Sequence, residues 1–136
     1  MTLTEFLLAR IAEDEAGAQA AATYSAEWAV ADEFNETVLL AASDEYGHTF
    51  DSTYGQIAPH IARHDPVRVL AECEAKRRIV GLMGYVRESW ENGTRGRGRV
   101  MWPDVNRREK MHALTILENL ATVYADHPDY RDEWRV

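Results

Sequence analysis

The sequence predicts an α+β fold, with three main helices packed against a small two- or three-stranded antiparallel meander. Three observations lead to this fold class. Three long segments repeat apolar residues at the helical steps of three and four, whereas residues 24–50 alternate apolar with polar residues as strands do. Along the chain a helix comes first, strands follow and two helices come last, an order typical of α+β proteins.

The first helix is predicted over residues 2–23. Thr2 and Glu5 have the spacing of a capping box, in which each side chain bonds the other residue's backbone N–H. The apolar face of this helix consists of Leu7, Ile11, Ala18 and Ala22.

Short strands are predicted next, in three places. Residues 24–30 and 46–50 alternate apolar with polar side chains, and Val38–Ala42 is an apolar run. The polar residues 32–36 and 43–45 would form the turns. Two strands alone are marginal in water, so this sheet should pack on the helices.

Residues 59–92 form the central stretch, with a short helical turn, a break and then the longest helix. Asp65 can cap that helix, and Pro66 suits its first position because proline has no N–H to lose. We expect it to fray near Asn92 and Gly93. Its predicted buried stripe consists of Val67, Ala71, Ala75, Ile79, Leu82, Val86 and Trp90.

The last helix follows a glycine-rich loop at residues 93–99, and Pro103 with Asp104 marks its start. It should end by Asp126. Its apolar stripe consists of Met111, Leu114, Leu117, Ala121 and Tyr124, and Tyr130 and Trp134 of the tail are spaced to fold back on the core.

The length predicts one domain, residues 1–136, large enough to bury a core. Cys73 is the one cysteine, which excludes an internal disulfide and fits a reducing, cytoplasmic setting. No apolar run approaches the roughly 20 residues that span a bilayer, so no membrane partner is expected. Acidic residues near the N-terminus argue against a signal peptide.

The net charge of −8 is unevenly distributed. Residues 1–62 carry one base and 11 acids, a net charge of −10, whereas residues 76–110 carry 10 bases and 4 acids, a net charge of +6. The two regions could face each other within one fold or in a dimer. Alternatively, the basic region could bind nucleic acid, although the overall acidity opposes phosphate binding.

Two histidines, His60 and His64, are four residues apart and would share a helix face, as zinc-binding pairs do. Ile61 stands where the zinc-protease motif has glutamate. The alternative is structural: either imidazole could bond the loop backbone, and Asp65 serves better as a cap than as a ligand.

An arginine cluster lies in residues 95–110. Arginine in a glycine loop can follow phosphates, and Trp102 could stack on a base. A surface loop with Trp102 in the core is the alternative. The candidate nucleic-acid-binding residues are Arg95, Arg97, Arg99, Arg107 and Arg108, with Lys110 nearby.

Catalytic chemistry has weak support. Arg131 and Arg135 can pair with the acidic residues of the tail, and such exposed ion pairs contribute little to stability. The tail candidates are Asp126, His127, Asp129, Asp132 and Glu133. The potential nucleophiles Ser25, Ser43, Ser52, Ser89 and Cys73 lack the sequence context of an activated group. We therefore predict no catalytic residue and no cofactor.

Two segments, HIARHDPVRVLAE with a following AKR (residues 60–77) and YADHPDYRDEWR (residues 124–135), resemble a family of short proteins of unknown function from actinomycetes and their phages. Phe6–Glu15 also fits, whereas the Gly93–Arg99 loop and Trp102–Pro103 depart from it. The resemblance transfers no activity. It implies a cytoplasmic bacterial or phage setting, in which small accessory proteins often bind a host protein.

The sequence therefore favours a non-enzymatic binding protein that acts through protein–protein interaction. Its expected partner is another protein, either a host protein or a second copy in a homodimer. The alternatives are metal binding by His60 and His64 and nucleic-acid binding by the arginine cluster of residues 95–110.

Overall fold

The computed structural model describes residues 1–31, 37–40, 49–51, 56–93 and 107–136. In these ranges the chain forms four α-helices: α1 (Leu3–Ala22), α2 (Ile57–Arg63), α3 (Pro66–Gly93) and α4 (Arg107–Ala121). It also forms three strands, β1 (Trp28–Val30), β2 (Thr37–Leu40) and β3 (Thr49–Asp51), and 3-10 turns at Thr122–Tyr124 and Asp132–Trp134. The predicted α+β class is confirmed.

The sheet is antiparallel with the strand order β1-β2-β3, so the predicted meander is confirmed and has three strands within the described residues. Trp28 pairs with Leu40, and Val38 pairs with both Val30 and Phe50. Strand β1 is shorter than the alternating pattern of residues 24–30 indicated. Tyr24 belongs to a turn after α1, because its N–H donates to the Ala21 carbonyl at 3.0 Å.

Local capping chemistry fixes the starts of the two long helices. The Thr2 N–H donates to Glu5 Oε2 at 2.6 Å and the Glu5 N–H donates to Thr2 Oγ1 at 3.2 Å, which completes the predicted capping box. The Arg68 N–H donates to Asp65 Oδ1 at 2.8 Å. Asp65 therefore caps α3, and Pro66 is its first residue, as predicted.

The contacts within the chain divide it into two compact units. Unit 1 comprises Met1–Ile11 and Ala75–Val136, and unit 2 comprises Ala12–Glu74. The single-domain expectation for residues 1–136 stays a prediction.

Unit 1 is helical in its described part. Phe6 and Leu117 are fully buried, at 0% exposure each, and Trp134 is 6% exposed. Gly84 of α3 lies close to Thr4 of α1, since a Cβ added at Gly84 would lie 3.4 Å from Thr4 Cγ2. The other buried apolar residues of this unit are Leu3, Leu7, Ile11, Val80, Ala113 and Ala121.

Unit 2 contains the sheet, and α2 packs against β1 and β2. Val38 in the central strand and Ala58 in α2 are both fully buried. The Val67 N–H at the start of α3 donates to the Ala26 carbonyl at 3.1 Å, which ties the turn before β1 to that helix. Cys73 is buried.

The predicted stripe of α3 is wrong for most of its residues. Leu82 is 60% exposed, Val67 46% and Ile79 41%, and Ala71 and Ala75 are also exposed. The face of α3 that is buried instead carries smaller residues, among them Cys73, Val80 and Gly84. In α4, Leu117 and Ala121 are buried as predicted, whereas Met111 is 52% exposed.

Candidate functional site

The histidine pair lies at the end of α2. The His60 and His64 rings are 4.5 Å apart between centroids, tilted by 44°, and both residues are exposed. The His64 Nδ1–H donates to the His60 carbonyl at 2.8 Å. The shared face of the two rings fits the predicted metal site. The bond from a ring nitrogen to the backbone fits the structural alternative.

A metal centre needs more than this pair. Asp65 is committed to the α3 cap through the Arg68 N–H. Across the described ranges, no group of three or more His, Cys, Asp or Glu residues could hold a metal ion. Metal binding by His60 and His64 stays a prediction.

The arginine cluster is only partly within the described structure. Arg95, Arg97, Arg99 and Trp102 lie outside the described residues. Arg107 and Arg108 are the first two residues of α4, and Arg108 is exposed. Nucleic-acid binding by this cluster stays a prediction as well.

The tail acids form ion pairs with arginines. Asp129 Oδ2 lies 3.6 Å from Arg10 Nη1, and Glu133 Oε1 lies 3.3 Å from Arg131 Nη1. Asp132 Oδ1 lies 3.6 Å from Arg135 Nη2. Asp126 is exposed.

Arg10 is the charged residue that the tail covers. It is only 7% exposed, and its guanidinium carbon lies 5.4 Å from the centroid of the Phe6 ring. Its Nη1 lies 2.7 Å from Nδ1 and 2.6 Å from Nε2 of His127. The Asp129 N–H donates to the same Nδ1 at 3.1 Å, so His127 acts as a hydrogen-bond acceptor. This histidine links the tail to α1, because its ring contacts Arg10 of α1 and accepts from the Asp129 N–H of the tail.

Four rings from residues 124–134 pack around Phe6. Their centroids lie 4.9–6.4 Å from that of Phe6, within the range of favourable aromatic pairs. They belong to Tyr124, His127, Tyr130 and Trp134. The prediction that Tyr130 and Trp134 fold back on the core is confirmed.

The potential nucleophiles have structural surroundings where they are described. Ser25 is 5% exposed, and its hydroxyl donates to the Glu27 carbonyl at 2.8 Å. Cys73 is 1% exposed within α3. Ser43 and Ser52 lie outside the described residues.

One perturbed carboxyl is found at the start of α1. The Thr2 backbone N–H, followed by the Thr2 hydroxyl, lowers the pKa of Glu5 below its ordinary value of 4.5. The cause is the capping box, so this shift reflects helix stability and does not mark a reaction centre.

An open groove lies in unit 2, with a volume of about 390 Å³. Small or apolar residues make up most of its lining, and Glu13 and Asp14 are its acidic residues. The full lining is Glu13, Asp14, Gly17, Ala18, Ala21, Trp28, His64, Pro66 and Val69.

A second pocket, of about 470 Å³, lies in unit 1. Its lining contains two bases, Lys110 and Arg131, and two acids, Glu118 and Glu133. The remaining lining residues are Met1, Thr2, Leu3, Leu114 and Trp134.

The family model for DUF6221, a family of unknown function, matches residues 1–136. The chain belongs to this family. The expectation of a family of unknown function is thereby confirmed, and the match spans the whole chain. Neither a curated protein nor a solved structure matches the chain.

The segments on which the DUF6221 chain resembled a family have clear places in the fold. Asp65 and Pro66 start α3, and Tyr130 and Trp134 hold the tail against Phe6. None of the described helices combines the length and hydropathy that a membrane crossing requires.

Sequence reasoning missed two features of this family member. Arg10 is separated from His127 by 117 residues, and no local pattern marks such a contact. The sequence contained a weak indication of the groove, because Gly17, Ala18 and Ala21 leave one side of α1 without large side chains.

Proposed function

We propose that this protein is a non-enzymatic binding protein that acts by docking on another protein. The observation that carries the proposal is the exposed apolar face of α3 in unit 1. Ile79, Leu82 and Tyr85 are 41%, 60% and 52% exposed. They follow one another at helical steps of three, with Ala75 four residues before Ile79, and this spacing is typical of a face that packs against another helix.

A single exposed leucine needs no explanation, because folded proteins expose much apolar surface. A row of large apolar side chains along one helix face is different, since removing it from water would contribute about 25 cal/mol per Å². Tyrosine at such a site also supplies the kind of anchor that dominates protein interfaces.

The tail supports a binding role over a catalytic one. His127 Nδ1 accepts a hydrogen bond from the Asp129 N–H, the His127 ring lies against Arg10, and Asp129 pairs with Arg10. These groups hold the tail to α1, which occupies the atoms that acid–base chemistry would need.

We place the protein in the cytoplasm of an actinomycete or of a cell infected by one of its phages. This setting rests on the resemblance of residues 60–77 and 124–135 and on the single cysteine, Cys73. The partner is a host protein or a second copy of the chain. The acidic residues 1–62 would favour a partner with a basic surface.

The test is capture of partners by the tagged full chain from an actinobacterial lysate, with Leu82→Glu as the disrupting variant. Val123→Glu is the matched control, because Val123 is 67% exposed and the change adds the same charge. We expect the wild-type protein and Val123→Glu to recover the same protein, and Leu82→Glu to lose it.

Light scattering on the same three proteins reveals self-association. A wild-type dimer that becomes monomeric only in Leu82→Glu identifies the partner as a second copy. A monomeric wild-type chain that captures nothing above background, or captures equally in all three forms, contradicts the proposal.

Metal binding is a second candidate function, favoured by the 4.5 Å distance between the His60 and His64 rings. His64 Nδ1 is engaged with the His60 carbonyl, so its Nε2 would be the ligand atom. Calorimetric titration of zinc into chelator-treated protein tests it, with His112→Ala as the control for an exposed histidine elsewhere. Binding heat that is lost in His60→Ala and retained in His112→Ala supports the site. Absence of binding heat in the wild-type protein rules the site out.

A further inference from the structure

We propose that the groove of unit 2 binds an arginine- or lysine-rich segment of another protein, with the aliphatic stems on its apolar floor and the cationic heads at Glu13, Asp14 and Trp28. This inference rests on the proposed function, because it states the chemistry of a protein partner. The groove belongs to unit 2, whereas the apolar face of α3 around Leu82 belongs to unit 1.

The floor of the groove admits a close approach to α1. A Cβ added at Gly17 would meet no heavy atom within 4 Å, so the space above the helix backbone is open. Ala18 and Ala21 continue this floor with small side chains. A volume of about 390 Å³ lies in the lower part of the range of about 300–1,000 Å³ for ligand pockets.

Trp28 provides an aromatic wall that is already fixed. Its Nε1–H donates to the Ser25 carbonyl at 3.2 Å, and the Ser25 hydroxyl donates to the Glu27 carbonyl at 2.8 Å. A ring held in this way loses little conformational entropy when a ligand binds. Arginine and lysine heads are attracted to the face of such a ring.

Charge determines which ligand the groove prefers. Unit 2, residues 12–74, contains 13 acids and two bases, a net charge of −11. Its own groove carries two carboxylates, Glu13 and Asp14. This charge attracts a basic segment and disfavours phosphate-bearing ligands such as nucleic acid and anionic lipid.

A second copy of the chain is a competing occupant, because residues 76–110 carry a net charge of +6. Each copy nevertheless has a net charge of −8, so long-range repulsion opposes association between copies. A basic segment of a different protein meets no such repulsion.

The experiment uses the full chain and a fluorescein-labelled peptide of alternating glycine and arginine, followed by fluorescence anisotropy. A peptide with glutamate in place of arginine is the ligand control. We expect the arginine peptide to bind at low salt, to bind more weakly as salt rises, and the glutamate peptide not to bind.

Three variants locate the binding. Asp14→Asn removes a groove carboxylate and Gly17→Leu fills the floor. Each change should lower the affinity for the arginine peptide about tenfold. Gly17 is exposed in mid-helix, so leucine there should preserve folding, which circular dichroism checks. Glu15→Gln removes the same charge outside the groove and should change the affinity less than about twofold.

Several results overturn the inference. Equal weakening by Glu15→Gln and Asp14→Asn would indicate unspecific attraction, and so would full binding by Gly17→Leu. Self-association that Gly17→Leu abolishes would assign the groove to a second copy. If the arginine peptide fails to bind while capture of a partner still depends on Leu82, the groove inference fails and the proposed function stands.

Discussion

Substitution of Trp134 by alanine tests how the tail is held. Trp134 is 6% exposed, its ring centroid lies 4.9 Å from that of Phe6 and 5.9 Å from that of Tyr130, and the Arg131 guanidinium carbon lies 5.4 Å from its centroid. Alanine removes all of these contacts and leaves Phe6 partly uncovered.

The expected loss of unfolding free energy is about 3–4 kcal/mol. A buried tryptophan removes about 150–250 Å² from water, which at about 25 cal/mol per Å² gives an upper estimate of about 4–6 kcal/mol. Measured aromatic-to-alanine changes in cores cost about 3–5 kcal/mol. We place Trp134 near the lower end because the short 3-10 turn at Asp132–Trp134 can settle into the vacated space.

Urea denaturation followed by far-ultraviolet circular dichroism measures this loss without depending on tryptophan fluorescence. Amide exchange at Leu7, which is buried in the unit 1 part of α1, reports unit 1 separately. Arg135→Ala is the control. The Arg135 side chain is 68% exposed and lies 3.6 Å from Asp132, so its removal should change stability by less than about 0.5 kcal/mol.

A loss below about 1 kcal/mol for Trp134→Ala would refute the reasoning, because truncating a buried, packed aromatic side chain costs more unfolding free energy than this. Unchanged exchange at Leu7 would refute it independently. A loss equal to that of Arg135→Ala would show that the Trp134 ring contributes no more to stability than an exposed side chain of the tail.

Three further predictions concern the helices. Asp65→Ala should lower the unfolding free energy by about 1 kcal/mol in urea titration, since it removes the acceptor of the Arg68 N–H; an unchanged value contradicts the cap. Gly81→Ala should raise it by about 0.5–1 kcal/mol, because Gly81 is exposed in α3 and its added Cβ meets no heavy atom within 4 Å. The pKa of Glu5 is lower in the folded state, so its stabilisation is present above the unfolded value of 4.5 and is lost as pH falls through the folded value. The stability advantage of the wild-type protein over Glu5→Gln should therefore shrink in acid, and a constant difference across pH would contradict this origin.

Local chemistry explains the parts of the fold that the sequence predicted well. The capping box at Thr2 and Glu5 and the Asp65–Pro66 start are formed by residues within three positions of each other. Such signals depend on neighbouring backbone groups and need no knowledge of tertiary packing. The starts of α1 and α3 followed from them.

The orientation of α3 could not be read in the same way. Periodicity shows that a helix has an apolar face, but α3 has two candidate faces. Large side chains such as Leu82 mark the exposed one, whereas Cys73 and Gly84 mark the buried one. Small residues permit close helix packing while adding little hydrophobicity to the pattern, so the pattern favoured the wrong face.

The candidate sites could not be predicted fully from the sequence, because they depend on long-range contacts. The tail acids looked like a possible reaction centre because the sequence shows their spacing but not their partners. Arg10, which pairs with Asp129 and His127, lies more than 100 residues away in the chain. The groove beside Trp28 likewise depends on residues from α1 and α3 that only folding brings together.

Membership in this family transfers no activity, because its function is unknown, and residues of the two segments that resembled a family serve the fold. Asp65 starts a helix, and Tyr130 and Trp134 cover Phe6, so these positions are accounted for by folding. A motif whose side chains are used in caps and ring packing predicts the fold of its bearer and leaves its binding surface open. Function must then be sought where folding leaves side chains unexplained, as on the apolar face of α3 around Leu82. That is why substitutions on that face and in the groove, more than in the motifs, separate binding from stability.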